Sequence, residues 1–213
     1  MKKIFFTFSL LLLSFWTIQA QHDGVKVRFG GMAGFNMSKW GGDFSDYYKT
    51  TFKPGFHAGG VAEIMLNKKL SVQPELLFSY EGTSADSLNN GISAMYVKLP
   101  ILLYYNFQIG SGRLSPGVGC YFGGGIAGKI DGEEDTFEYL EKFDWGVEAK
   151  IAYELLGKKG NGFFFSAGVS QGFTKTHSMA LLVSIGYKFP YSKWLSSTYY
   201  RNVPTEVKIY DGE

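Results

Sequence analysis

The chain has 213 residues, among them 28 Gly; 17% are aromatic and only 19% charged, with 21 Lys and Arg against 19 Asp and Glu. That length suits one domain, and a formal charge of +2 gives no electrostatic basis for binding nucleic acid. Beyond the N-terminus no run approaches the roughly 18 apolar residues that a spanning helix needs, which excludes helical membrane insertion of the mature chain.

Lys2 and Lys3 precede an apolar stretch from Ile4 to Ile18, and Gln19-Ala20-Gln21 follows. This is the pattern of a secretory signal peptide cut after Ala20. Residues 1–20 are therefore set apart from the fold, and losing Lys2 and Lys3 brings the formal charge of the mature chain to zero. The single Cys120 cannot form an internal disulfide, which is compatible with export, and reads as a buried free thiol.

From Val25 to Met37 every second residue is apolar or small, with Lys26, Arg28, Met32 and Asn36 on the other face. A period of two is a strand. Lys39 to Pro54 breaks the pattern with Gly41-Gly42 and the aromatics Trp40, Phe44, Tyr47 and Tyr48, which reads as a long loop with exposed rings. Alternation resumes from Phe56 to Leu66, where His57, Val61, Glu63 and Met65 share a face, and from Leu70 to Glu81, where Ser71, Gln73, Glu75, Leu77, Ser79 and Glu81 do. Asn67-Lys68-Lys69 joins the two as a hairpin, and Gly82 to Gly91 is a second long loop.

The fourth strand runs from about Tyr96 to Phe107, with Lys98, Leu102, Tyr104 and Asn106 opposite an apolar set; Pro100 within it predicts a local bulge. After Ile109-Gly110-Ser111-Gly112 comes the fifth, Arg113 to Ile130, whose inner set of Arg113, Ser115, Gly117, Gly119, Tyr121, Gly123 and Gly125 is rich in glycine, as a strongly coiled strand requires. Asp131 to Lys142 is a third long loop. The sixth strand sets Phe143, Trp145, Val147, Ala149, Ile151, Tyr153 and Leu155 against Asp144, Glu148, Lys150 and Glu154. The seventh spans Phe163 to Phe173. The eighth, Ser178 to Phe189, has Met179, Leu181, Val183, Ile185, Tyr187 and Phe189 on one face and Ala180, Leu182, Ser184, Gly186 and Lys188 on the other.

Eight strands, with long connections after the first, third and fifth and short ones after the second, fourth and sixth, describe an all-β, eight-stranded antiparallel up-and-down transmembrane β-barrel. Both chain ends then lie on the periplasmic side. A soluble lipocalin-like barrel also has eight strands, but it needs an apolar interior, whereas here one face collects the charges. The expected organisation is a signal peptide (1–20), an outer-membrane barrel (21–189) and a periplasmic tail (190–213).

Several segments in order, PGFHAGGVAEIML, LSVQPELLFSYEG, YVKLPILLYYNF, SPGVGCYFGGGIAGKI, FDWGVEAKIAYEL and the closing IGYKF, resemble the PorT-like, porin-family outer-membrane β-barrel domain common in Bacteroidota. The resemblance covers roughly Val25 to Phe189 and implies an outer-membrane barrel; it implies no defined activity, since most members have none. The stretch Pro190 to Glu213 departs from the usual pattern, which stops at the terminal aromatic. It reads either as an extension that covers the barrel mouth or docks a partner, or as a disordered tail.

The inward charges are Lys26, Arg28, Lys98, Arg113, Lys150 and Lys188 against Glu63, Glu75, Glu81, Asp144, Glu148 and Glu154. Buried charge must be paired and an eight-stranded bore is just wide enough for side chains to fill, so the expectation is a salt-bridged, plugged lumen. Asp131, Glu133, Glu134 and Asp135 lack the ligand register of a calcium loop and read as a solvated face, and His22, His57 and His177 are too isolated for a metal site. No cofactor is expected. With no nucleophile elbow, metal-ligand pair or phosphate loop, the chain does not read as an enzyme. The expected role is structural or an interaction in the cell envelope, by a monomer in contact with outer-membrane lipid. Trp40, Phe44, Tyr47 and Tyr48 are the contact loop for an envelope protein, or else a girdle dipping into lipid. The alternatives are a narrow channel for small solutes and an accessory component of a protein secretion apparatus.

Overall fold

The computed structural model describes residues 26–42, 49–85, 91–130, 133–134, 141–157 and 160–190. Ten strands follow one another: β1 (Lys26–Trp40), β2 (Thr50–Met65), β3 (Leu70–Ala85), β4 (Ile92–Tyr105), β5 (Phe107–Ile109), β6 (Gly112–Ile130), β7 (Glu133–Glu134), β8 (Phe143–Leu156), β9 (Gly162–Gly172) and β10 (Ser178–Lys188). Eight form the wall, in the order β4-β3-β2-β1-β10-β9-β8-β6, and a further β4–β6 pairing closes the ring. The short β5 continues β4 beyond Asn106, and β7 pairs with the tip of β6. All pairings are antiparallel. The expected class, a closed eight-stranded antiparallel barrel, is the observed one.

Closure leaves no edge strand, so each wall strand is hydrogen-bonded on both sides, as a bilayer core without water requires. Following paired residues once round the barrel from Val27 leads through Ile64, Val72, Leu103, Val118, Ala149, Val169 and Leu181 back to Met37 on the starting strand, a stagger of ten residues. For eight strands at ordinary spacings that stagger tilts them by about 40° from the barrel axis.

Sidedness follows from the alternation. Along β8 the odd residues from Phe143 to Leu155 are exposed, whereas Asp144, Glu148, Lys150 and Glu154 are buried. The same division holds along β10, where Val183 is 62% exposed and Ser184 only 4%. Cys120 corrects the expectation of a buried thiol: it shares the outer face of β6 with Val118 and Phe122 and is exposed. Its odd-numbered neighbours in β6 hold the inner face, so period two leaves Cys120 no other direction.

Four boundaries at the long-loop end differ from the sequence reading. β1 runs on to Trp40 and β2 begins at Thr50, so the first loop is shorter at both ends. Trp40 is not an exposed loop ring but a wall residue, 1% exposed, continuing the inward series of Arg28, Met32, Asn36 and Ser38. Residues 82–85, expected in the second loop, belong to β3, and 92–95 to β4.

No bulge forms at Pro100, which pairs in register with Tyr121. The register shift in this ladder lies between Met95 and Tyr96, where the extra residue is Ile126 of β6. Towards β3 the pairing passes from Pro74↔Ile101 to Leu77↔Lys98 without a shift, so the missing proline donor opens a gap in the ladder rather than a kink. A second bulge, between Phe52 and Phe56 of β2, does span a proline, Pro54.

Inward glycines have a packing role beyond coiling. A Cβ at Gly117 would sit 2.5 Å from the Tyr104 ring, and one at Gly186 2.4 Å from the Phe164 ring. Tyr104 pairs with Gly117 and Phe164 with Gly186, so each glycine leaves room for the ring of its neighbour on the adjacent strand to lie over it. Gly117→Ala is expected to destabilise the barrel by about 1–3 kcal/mol through overpacking. Pairing it with Tyr104→Leu should recover part of the loss, as read by denaturant unfolding of both variants in lipid vesicles.

The proposed signal peptide, the tail beyond Pro190, and Phe44, Tyr47, Tyr48, Asp131 and Asp135 lie outside the described residues, as do the side chains of Glu133 and Glu134.

Candidate functional site

The bore is built in layers. Nearest the short turns, Arg28 of β1 meets Glu63 of β2 through Nε, and its Nη1 and Nη2 each lie 2.6 Å from a Glu154 oxygen on β8. Arg113 of β6 places Nη2 2.6 Å from both Glu63 Oε1 and Glu154 Oε2, and Lys188 of β10 stands 3.5 Å from Glu63. Three cations thus share two carboxylates. Arg28 and Glu154 are separated round the ring by β10 and β9, and Arg113 and Glu63 by β4 and β3. These contacts therefore span the bore rather than run along its wall.

Beside this layer sits a small apolar cluster of Met32, Val61, Leu77 and Phe164. Lys150 of β8 next reaches across to Glu75 of β3 at 2.7 Å and to Glu148 on its own strand at 2.5 Å. Gln73 donates from Nε2 to Glu75 Oε1 at 2.8 Å. His57 of β2 is buried and hydrogen-bonded to Ser184 of β10 at 2.8 Å.

Towards the long loops, Lys98 lies 2.5 Å from Glu81, which also accepts hydrogen bonds from Ser79 and Ser178. Asp144 accepts from the Tyr121 hydroxyl at 2.7 Å and from Thr174 at 2.9 Å. Lys98 Nζ also stands 4.7 Å from the Tyr121 ring centre. Ser71 at Glu63, Gln73 at Glu75, Ser79 and Ser178 at Glu81, and Tyr121 and Thr174 at Asp144 supply the extra hydrogen bonds that a buried ion pair needs to offset its lost hydration.

The structure thus places eleven of the twelve expected charges inside the barrel: Arg28, Lys98, Arg113, Lys150 and Lys188 with Glu63, Glu75, Glu81, Asp144, Glu148 and Glu154 are all buried. Lys26 is only half-buried at the very start of β1. The balance among the described buried groups is therefore five cations against six acids rather than six against six. The sequence reading missed Phe164, which sits in a run of three phenylalanines where only register tells which ring points inward, and it missed that Trp40 belongs to the bore. Counting in twos from Arg28 would have found Trp40.

A cavity of about 10 Å³ lies between Glu63, Gln73, Tyr104, Ser115, Glu154 and Lys188, about the room one water molecule needs. Among the described residues no group of three or more His, Cys, Asp or Glu is arranged to hold a metal ion.

The family model of the outer membrane protein beta-barrel domain matches residues 19–178, most of the chain. The chain belongs to this family. Membership locates the barrel in the outer membrane, where the exposed apolar wall meets lipid and the charged face is turned into the bore.

Solved structures of outer-membrane barrels are similar to it at low identity. Ail, the attachment invasion locus protein of Yersinia pestis, whose crystal structure was determined in complex with the heparin analogue sucrose octasulfate, is 13% identical, with 78% of this chain and 99% of that chain covered and a TM-score of 0.43. Neisserial surface protein A is 10% identical over 76% and 97% of the two chains, with a TM-score of 0.49. Outer Membrane Protein W of E. coli is 12% identical over 79% and 100%, with a TM-score of 0.42. No curated protein matches the chain.

Two belts of rings mark the edges of the apolar wall in this family member. Near the short turns Tyr105 lies 4.6 Å from Phe107, Phe163 4.8 Å from Tyr187, and Tyr187 5.3 Å from Phe189, centre to centre. Near the long loops Phe56 stacks on Tyr80 at 5.5 Å and Trp145 meets Phe173 at 5.3 Å. Aromatic girdles at both interfaces are what an outer-membrane barrel uses to hold its height in the bilayer.

Proposed function

We propose that this protein is a non-enzymatic, monomeric structural or interaction component of the cell envelope whose lumen is plugged by its own side chains. The observation that carries the reading is the set of ion pairs across the bore: Arg28 to Glu154, Arg113 to Glu63 and Lys150 to Glu75 each join strands separated by two others. With the Met32, Val61, Leu77 and Phe164 cluster beside them, they occupy a bore that eight strands make only wide enough for side chains. A wall that transports nothing acts through what it presents outside the bilayer. Phe44, Tyr47 and Tyr48 of the first loop are the contact residues in this reading, and the PorT-like resemblance favours a partner among envelope secretion components.

The test is conductance of the purified, refolded protein in planar bilayers. No steady opening is expected, and a persistent open state of nanosiemens size would replace the plugged wall with a narrow solute channel. For the partner, replacing Phe44, Tyr47 and Tyr48 by Ser should abolish co-purification of envelope proteins from gently solubilised membranes while heat-modifiable folding stays intact; unchanged co-purification removes the loop from this role.

A further inference from the structure

Of the three buried lysines among the described residues, Lys188 is the one its neighbours serve least. Lys150 stands 2.7 Å from Glu75 and 2.5 Å from Glu148, and Lys98 2.5 Å from Glu81. Lys188 Nζ lies 3.5 Å from Glu63 and 4.0 Å from Glu154, beyond the roughly 2.7–3.2 Å of an N–H···O bond. The Phe164 ring, 5.0 Å away at its centre, offers a cation–π contact but no lone pair. An ammonium carries three donors, and a side chain this deeply buried has little surface through which bulk water could supply acceptors.

The cavity of about 10 Å³ is lined in part by this same lysine. Its other polar walls suit a water molecule, which typically makes about three hydrogen bonds. Glu154 Oε1 is buried and has no hydrogen-bond partner among the described residues; Arg28 Nη1 lies 2.6 Å from it but out of line for a hydrogen bond. Ser115 donates its hydroxyl proton to Asn106 at 2.7 Å and retains acceptor capacity on its oxygen. Gln73 donates from its amide nitrogen to Glu75, which leaves its amide oxygen able to accept. Cavities that stay dry are apolar, whereas here only Ala152 and the Phe164 ring are.

We propose that one buried water molecule occupies this cavity as a ligand of Lys188: it accepts from the ammonium and donates to Glu154 Oε1 and to the oxygen of Ser115 or Gln73. Through Gln73, which is bonded to Glu75, the water joins the layer of Arg28, Arg113 and Lys188 to the layer of Lys150. The inference rests on the plugged lumen and goes beyond it, since it makes a bound molecule part of the plug.

The test is a crystal structure of the mature full-length protein at a resolution that shows single waters, with a second crystal grown in bromide. One peak is expected in the cavity, within hydrogen-bond distance of Lys188 Nζ and of Glu154, with no anomalous signal from bromide. A featureless cavity overturns the proposal, and bromide signal there overturns it in favour of an anion held by the third cation of the layer. A file of waters that includes this one and runs on past Lys150 to the loop end supports the Lys188 water and overturns the plugged lumen instead. Ala152→Val tests the link to Lys188, because its two added methyl groups fill the cavity without removing a polar wall. Urea unfolding in lipid vesicles should show the folded-to-unfolded ratio falling about tenfold, as for a buried donor left without its acceptor. In a Lys188→Met background the same change should cost clearly less, since a thioether needs no acceptor, whereas overpacking alone would cost the same in both. An equal cost in the two backgrounds overturns the assignment to Lys188. Heat-modifiable migration reports folding; should Ala152→Val fail to fold, the wild-type density decides alone.

Discussion

Glu63→Ala is expected to cost about 3–5 kcal/mol of folding stability, the range for removing one partner from a buried ion pair. Glu63 touches Arg28 through one oxygen and Arg113 through the other, with Lys188 at 3.5 Å. Without it, Glu154 is the one carboxylate that Arg28, Arg113 and Lys188 still pair with among the described residues. Three cations would then share one carboxylate in a place where their side chains are 8% exposed or less, which leaves buried positive charge uncompensated. Urea unfolding of the barrel in lipid vesicles, followed by tryptophan fluorescence, measures the loss. A second variant separates charge from packing: Arg28→Met with Glu63→Leu removes both partners and fills the space, and should cost less than Glu63→Ala alone. A loss below about 1 kcal/mol for Glu63→Ala would mean that the layer is wet and its charges are screened.

Val183→Arg is expected to cost about 2–4 kcal/mol, the penalty for a cation facing lipid near the bilayer midplane. Val183 lies midway along β10, beside Phe35 of β1 and Ala167 of β9, and it is 62% exposed. In water an exposed valine changes to arginine with an effect of about 0.5 kcal/mol or less. The large cost thus appears only if hydrocarbon surrounds the wall. Phe189→Arg, just past the end of the same strand, should cost about 0–1 kcal/mol because the headgroup region accepts the guanidinium. Depth dependence of this kind is the signature sought. Equal small effects at both positions would return the chain to the water-soluble barrel considered as its fold rival.

Much of this architecture was legible in the residues, and the reason is geometric. Along β8 each acid or lysine that faces inward is flanked by two apolar residues that face out, so a single strand reports both its own existence and its sidedness. The strands of the hairpin through Lys68 and Lys69 were equally clear because the turn is short and polar. Boundaries at the loop end were less so. The alternation of β1 runs on through Ser38 to Trp40, but a tryptophan beside two glycines resembles a loop as much as the last rung of a strand. Pro100 misled for a related reason: a proline announces a missing donor, and only its neighbours in space decide whether the ladder bulges or simply skips a bond.

Taken by itself, the amino-acid sequence determined the strand count, the alternation of long and short connections and which side chains share the bore, because period two allows each residue only two directions and burial selects one. The tertiary structure alone decided who meets whom inside. Arg28 finds Glu154 across 126 positions of chain and Arg113 finds Glu63 across 50, encounters set by the ten-residue stagger and tilt of a closed ring rather than by any local pattern. Pairing across a bore depends on where all eight strands stand relative to one another, and no single strand carries that information.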